Sequence, residues 1–579
     1  MPTYTIKKTG ERVELNDTYF KAKGGEGSIY IIGDTVYKVC EKDKMIPAQK
    51  FQELAVLDHP NIIVPQETLL YRNKPTGYTM RAVPGNPYPL GQILTKPFRE
   101  REGVTPDDML KLVEKIASII KYVHSHKGYL QVDGNEFNYM VPDTFDDVFA
   151  IDTNSYQTPN FPAEVIMPSI RDLHVSQDSS GMYKFSELSD WYSFAVISFY
   201  MFTGIHPFKG RHPDYPNMKT SMHDNMLHCK PVLLPETMFP MGAVYHPFED
   251  YIPGGKDGAY MQWYRSVFID NKRLPAPDQW QAVLSFVAKV KEIIGSNNFE
   301  IIELKQFADQ VVGFYANKGR EVVVTKEKVY IGGKETKIPS HKMRIGFTPK
   351  RNIPYAAWLD DGVLKLTNLE DGSPIKVNLH GKSIMSCEGR VYVQGNNNIS
   401  ELAFVESGAL FGAPQSVASI LPNATEMFQG VVIQDMFGNY VASVFPETGH
   451  HRQIKLDEIK DYRITEAKYE HNVLMVVAFH KESGQYDRFV YRFSTDWNGH
   501  DLRKVENISP VGINFTVLEN GIVISLTEEE KIEVFSSKKD RPDVKSVGDP
   551  CIESDMRLCH VESEARFARG NKIYQIKFK

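Results

Sequence analysis

Asp133 is followed five residues later by Asn138, and Asp152 lies beyond the next turn, in the run GYLQVDGNEFNYMVPDTFDDVFAIDTNSYQ from Gly128 to Gln157. Two short apolar strands are predicted, around 128–132 and 148–151, each leading into an aspartate. One hairpin would then gather a carboxylate, an amide oxygen and a second carboxylate. Oxygen donors of this kind suit a divalent metal on phosphate oxygens, and a carboxylate beside them suits a hydroxyl nucleophile. A surface hairpin with acidic turns would look the same in isolation, so the elements around it must decide.

Upstream, Lys23-Gly24-Gly25-Glu26-Gly27-Ser28 reads as a glycine-rich turn between two strands. Gly24, Gly25 and Gly27 would let backbone N–H groups approach phosphates with no Cβ in the way, although many such turns are plain hairpins. The strand Val36-Tyr37-Lys38-Val39 follows, with one lysine among apolar neighbours. A buried ammonium needs an anionic partner, and nucleotide α/β-phosphates would supply one. A helix is predicted over 48–57, ended by His59-Pro60. Glu53 is its only carboxylate, and a solvated helix face accounts for it. The strand 77–83 runs into Pro84-Gly85, as a two-lobe hinge would, with extended backbone offered to an adenine edge and Met80 at the back of the pocket.

After the hinge the pattern turns helical. Thr105-Pro106-Asp107-Asp108 combines a cap residue, proline at the first position and acids in the first turn. An apolar stripe then continues to about 126. A second apolar helix is predicted over 188–203, entered through Ser189-Asp190 and stopped at Gly204. Its run of about 15 apolar residues is short for a membrane span and reads as a buried core helix. The stretch 211–253 is loop-rich, and a shorter helical region is expected over 278–295.

The whole chain bounds the reading. It has 579 residues, 42% of them hydrophobic and 24% charged, with a net charge of −6. That balance gives no bulk basic bias toward nucleic acid or an anionic membrane. Five scattered cysteines make no CxxC pair, which argues against a zinc site or disulfide framework and fits a reducing cytoplasm. The N-terminus lacks the apolar core of a signal peptide.

Taken in order, these motifs resemble the eukaryotic-like Ser/Thr protein kinases over roughly residues 15–295. They look most like the divergent bacterial and bacteriophage branch whose metal motif reads Ile-Asp-x-Asn/Asp-Ser. The resemblance implies a bilobal α+β fold, with an N-lobe over 1–85 and a C-lobe over 86–297. It implies ATP and magnesium as cofactors. Lys38 would hold the α/β-phosphates, with Gly24, Gly25 and Gly27 covering them and Met80 and Ala82 at the hinge. Asp133 would receive the acceptor's proton, Asn138 and Asp152 would hold the metal, and Asp190 would brace the catalytic loop. Glu53 would pair with Lys38, although Lys50 lies nearer the family's place for that acid, and Arg273 would pair with an acid near the end of the activation segment, for which Glu164 is the candidate. Ending at 162–164 makes that segment short, and Arg171-Asp172 could be its true end. The implied partners are a protein substrate and, by the company such proteins keep, a von Willebrand A-type protein and a protein phosphatase. Gln131-Val132 replaces the family's His-Arg, Asn135 its lysine, and Asn154 the glycine of the metal motif. These departures leave a pseudokinase scaffold as the alternative.

The texture changes in the second half. A helical linker is predicted over 298–321. From 322 to 579 strand–turn–strand units such as KVYIGGKETKI, VLKLTNLEDGSPIKV and VVIQDMFGNYVASVF recur at roughly 27 to 48 residues. An all-β propeller of six blades is expected, with seven blades, a β-sandwich pair or a solenoid as alternatives. Its role would be to recruit a partner or substrate.

Overall fold

The computed structural model describes residues 2–163, 166–209, 212, 214, 222–231, 252–277, 298–407, 410–497, 499–509, 512–539 and 541–579. The helical region expected over 278–295, Glu164 and most of 211–253 lie outside them. The chain divides into two compact units, one mostly from residues before 287 and one mostly from residues after.

The first unit opens with strands β1 (Thr3–Ile6), β2 (Arg12–Glu14), β3 (Phe20–Gly24), β4 (Gly27–Ile32), β5 (Thr35–Cys40), β6 (Glu67–Tyr71) and β7 (Lys74–Arg81). They form one antiparallel sheet in the order β2-β1-β6-β7-β5-β4-β3. Helix α1 (Ala48–Leu54) lies between β5 and β6 in the chain. The sheet with its helices fits the expected kinase-like lobe. Close register demands glycine at two places. A Cβ on Gly27 would lie 2.3 Å from the Val39 carbonyl oxygen, and one on Gly77 would lie 2.1 Å from that of Lys38. Both glycines therefore let their strands approach β5.

The helices that follow are α2 (Leu90–Ile93), α3 (Lys96–Glu102), α4 (Pro106–His124), α5 (Glu187–Thr203), α6 (Met222–Leu227) and α7 (Ala259–Phe268). Helix α4 starts where the sequence predicts. Thr105 accepts from the Asp108 N–H, and the Asp108 carboxylate accepts in return from the Thr105 N–H. Its apolar stripe, from Met109 to Val123, is buried. Every residue of α5 from Ser189 to Thr203 is buried, so its apolar residues are not confined to one stripe. Gly204, in the left-handed region at φ +76°, ends it and returns its N–H to Tyr200. Among the described residues, no helix is long and apolar enough to cross a membrane.

Of the two strands predicted for the hairpin, the second survives as Phe149–Ala150, whereas 128–132 contributes only a single bridge from Leu130 to Gln157. The backbone there is committed to α5 instead, as described below.

The second unit is all-β. Its described residues form seven four-stranded antiparallel sheets, a propeller-like series. The seventh combines three C-terminal strands with Phe299–Gln306, which pairs along Lys572–Phe578. The helical linker expected over 298–321 is therefore wrong: Phe299–Gln306 and Val311–Asn317 are strands. Apolar residues at 301, 304, 311 and 315 fit helical spacing, but the β-branched isoleucines and valines find cross-strand partners in Ile576 and Thr325. The seven sheets among the described residues exceed the six blades expected and equal the number in the seven-blade alternative.

Candidate active site

Lys38 sits mid-strand in β5, opposite Ile29 on one side and Tyr78 on the other. It is 6% exposed. Its ammonium donates to Glu26 Oε2 at 2.6 Å, to Asp152 Oδ1 at 3.1 Å and to Asn154 Oδ1 at 3.4 Å. Burial would push such an amine down, but Asp152, Tyr78 and Glu26 outweigh it and hold Lys38 well above the ordinary lysine range.

Two expectations for this lobe are corrected. Glu53 does not reach Lys38. Its carboxylate accepts from the Asn160 side chain at 2.6 Å and from Gln49. The α1 residue turned toward the site is Lys50, whose buried ammonium donates to the Asn154 carbonyl at 2.7 Å. Glu26, from the glycine-rich turn, serves Lys38 in Glu53's place. At the hinge, the Ala82 N–H is engaged by the Asp34 carbonyl at 2.8 Å, which removes that donor from an adenine edge. Met80 lies opposite Val36 in the sheet. Of the three turn glycines, Gly27 alone is sterically required; a Cβ on Gly24 or Gly25 would meet no atom within 4 Å.

The loop carrying Asp133 hangs from α5. Asp190 accepts the Gln131 N–H on one oxygen and the Val132 N–H on the other, both at 2.8 Å. His124 Nε2 lies 2.9 Å from the same carboxylate. Val132 is held at φ +59°, a left-handed conformation that is costly for a β-branched residue. Gln131 takes the Tyr139 hydroxyl at 2.7 Å and donates to the Tyr156 hydroxyl at 2.9 Å. Its amide is thus engaged through both its oxygen and its nitrogen.

Asp133 is set within this frame. Its Oδ1 accepts the Met167 N–H at 2.9 Å, and its Oδ2 accepts from Asn138 Nδ2 at 3.2 Å. Burial pushes its carboxyl above the usual aspartate range, against the pull of those donors. Asn138 also donates to the Asp133 carbonyl at 2.7 Å. With its amide nitrogen engaged there, its oxygen is the atom left to face a cation. Asp152 is left-handed, at φ +58°. It is positioned by the Ile151 N–H on the Asn138 carbonyl at 2.8 Å and by Thr153 Oγ1 on the Ile63 carbonyl at 3.0 Å. Lys38 thus contacts Asp152, Asp133 contacts Asn138, and the Ile151 N–H on the Asn138 carbonyl links the two pairs.

Arg273 grips Asp172 through Nη2 and Oδ1 at 2.6 Å and through a second contact from Nε, and its guanidinium covers the Tyr192 ring at 4.7 Å. Its partner among the described residues is Asp172; the expected partner, Glu164, lies outside them. Glu26, Met167 and His124 are contacts of the site that the sequence motifs do not name, whereas Lys50 holds the α1 place that counting from His59-Pro60 favours. Glu26 was visible as the one carboxylate inside the glycine-rich turn.

No family model matches the chain, and no curated protein matches it. Among solved structures, it is similar to the Cydia pomonella granulovirus kinase PK-1, at 13% identity and a TM-score of 0.28, over 37% of this chain and 77% of that one. A likeness this loose carries no weight.

Proposed function

We propose that the first unit is an ATP- and magnesium-dependent protein Ser/Thr kinase. The observation that carries this is the direct contact of Lys38 with Asp152, residues 114 apart in the chain, beside the linked pair Asp133–Asn138. In this reading Lys38 binds the α/β-phosphates of ATP. Asp133 orients the acceptor hydroxyl and takes its proton. Asn138 and Asp152 offer an amide and a carboxylate oxygen, the donor set that suits magnesium shared with phosphates. No cluster of three or more His, Cys, Asp or Glu side chains arranged for a metal occurs among the described residues. A two-ligand site completed by phosphate oxygens requires none. Magnesium would neutralise charge on the phosphates. The second unit is read as a seven-bladed β-propeller, its last blade completed by Phe299–Gln306, recruiting a protein substrate or partner.

The second reading is a pseudokinase scaffold, and two observations favour it. Both Asp133 oxygens already accept hydrogen bonds, and Asn135 stands where the family carries a phosphate-contacting lysine. The test is transfer of label from γ-labelled ATP to serine or threonine of a protein acceptor, with magnesium and with chelator. Magnesium-dependent phosphoserine or phosphothreonine supports the kinase. Nucleotide binding with no transfer would support the scaffold.

A further inference from the structure

Lys38 has a partner that the proposed reaction does not use. Glu26 Oε2 lies 2.6 Å from its ammonium, closer than Asp152, and also accepts from Asn154 Nδ2 at 3.0 Å. A carboxylate and a phosphate compete for the same ammonium. We propose that Glu26 is an internal latch on the nucleotide site, holding Lys38 until a phosphate takes its place; this rests on the nucleotide reading above.

Three features make the exchange local. The Glu26 side chain is 49% exposed, whereas that of Lys38 is 8% exposed, so the carboxylate can swing to water while the lysine stays. The Glu26 carbonyl is tied to the Glu41 N–H at 2.8 Å, so the turn need not lift. Lys50 fixes Asn154 through its carbonyl at 2.7 Å, which keeps Asn154 and the neighbouring Asp152 in place when Glu26 leaves. The latch is therefore specific for anionic ligands. It opposes phosphates and is indifferent to the nucleoside.

The test is the affinity of the full chain for ADP and for adenosine, in wild type, Glu26→Gln and Glu26→Asp, by calorimetry. Glutamine keeps an oxygen for Lys38 and removes the competing charge. Glu26→Gln should bind ADP at least about fivefold tighter, the lower range of such couplings, with adenosine unchanged. Glu26→Asp should return ADP affinity toward wild type. Equal ADP affinity in wild type and Glu26→Gln, or an equal change for adenosine, would overturn the latch and leave the nucleotide site standing. No ADP binding by any of the three would overturn both.

Discussion

Asp190 holds Val132 in a left-handed conformation by accepting its N–H at 2.8 Å, with the Gln131 N–H on the other oxygen. The carboxylate is buried and is also in contact with His124. Asp190→Ala would leave two buried N–H groups and an imidazole without their acceptor and release the strained peptide. The expected loss is about 3–5 kcal/mol of stability, read by urea denaturation. A loss within about 1 kcal/mol would mean the loop does not depend on Asp190.

The glycine-rich turn makes a contrast between neighbours. Gly27→Ala drives a Cβ to 2.3 Å from the Val39 carbonyl, whereas Gly25→Ala enters open space. The first should cost about 1–3 kcal/mol and the second stay within about 0.5 kcal/mol, compared by thermal or urea unfolding. Equal effects would show that the β4–β5 register does not require Gly27.

His206 gives a pH dependence of definite sign. It is buried, with Nε2 donating to the Ser169 carbonyl at 2.7 Å and Nδ1 accepting the Phe208 N–H at 3.2 Å. Both bonds are satisfied by the neutral ring, and burial lowers its pKa from 6.5 to about 4. Well above pH 6.5 neither the folded nor the unfolded chain protonates it, and its full contribution is present. As pH falls toward 4 the unfolded chain takes a proton that the folded one refuses. Wild type should then lose about 2 kcal/mol between about pH 8 and about pH 5 that His206→Gln does not lose. Parallel pH profiles would contradict the buried neutral ring.

Much of the site could be read from spacing, because its chemistry is concentrated in one local stretch. Asp133, Asn138 and Asp152 lie within 20 residues, and Asp190 announces itself at the start of an apolar helix. What escaped depends on tertiary contacts. Counting back from His59-Pro60 favours Lys50 for the inward place on α1, and it does turn to the site, but the reach of Glu26 from the glycine-rich turn to Lys38 is a tertiary contact that no local pattern encodes. The Met167 N–H on Asp133 likewise joins residues 34 apart through a loop with no regular pattern. In the second unit the strand–turn–strand pattern was legible, but Phe299–Gln306 was not. Its partner is the C-terminal strand, 266 or more residues away, and its own apolar spacing suits a helix.

The most direct measurement is phosphate transfer by the full chain carrying Asp133→Asn, alongside nucleotide affinity for the same protein. Asp133 touches Met167 and Asn138 but none of the groups proposed to hold nucleotide phosphates directly. Transfer should fall by at least about a hundredfold, as for loss of a general base, with ADP affinity close to wild type. Equal labelling by wild type and Asp133→Asn would contradict that role.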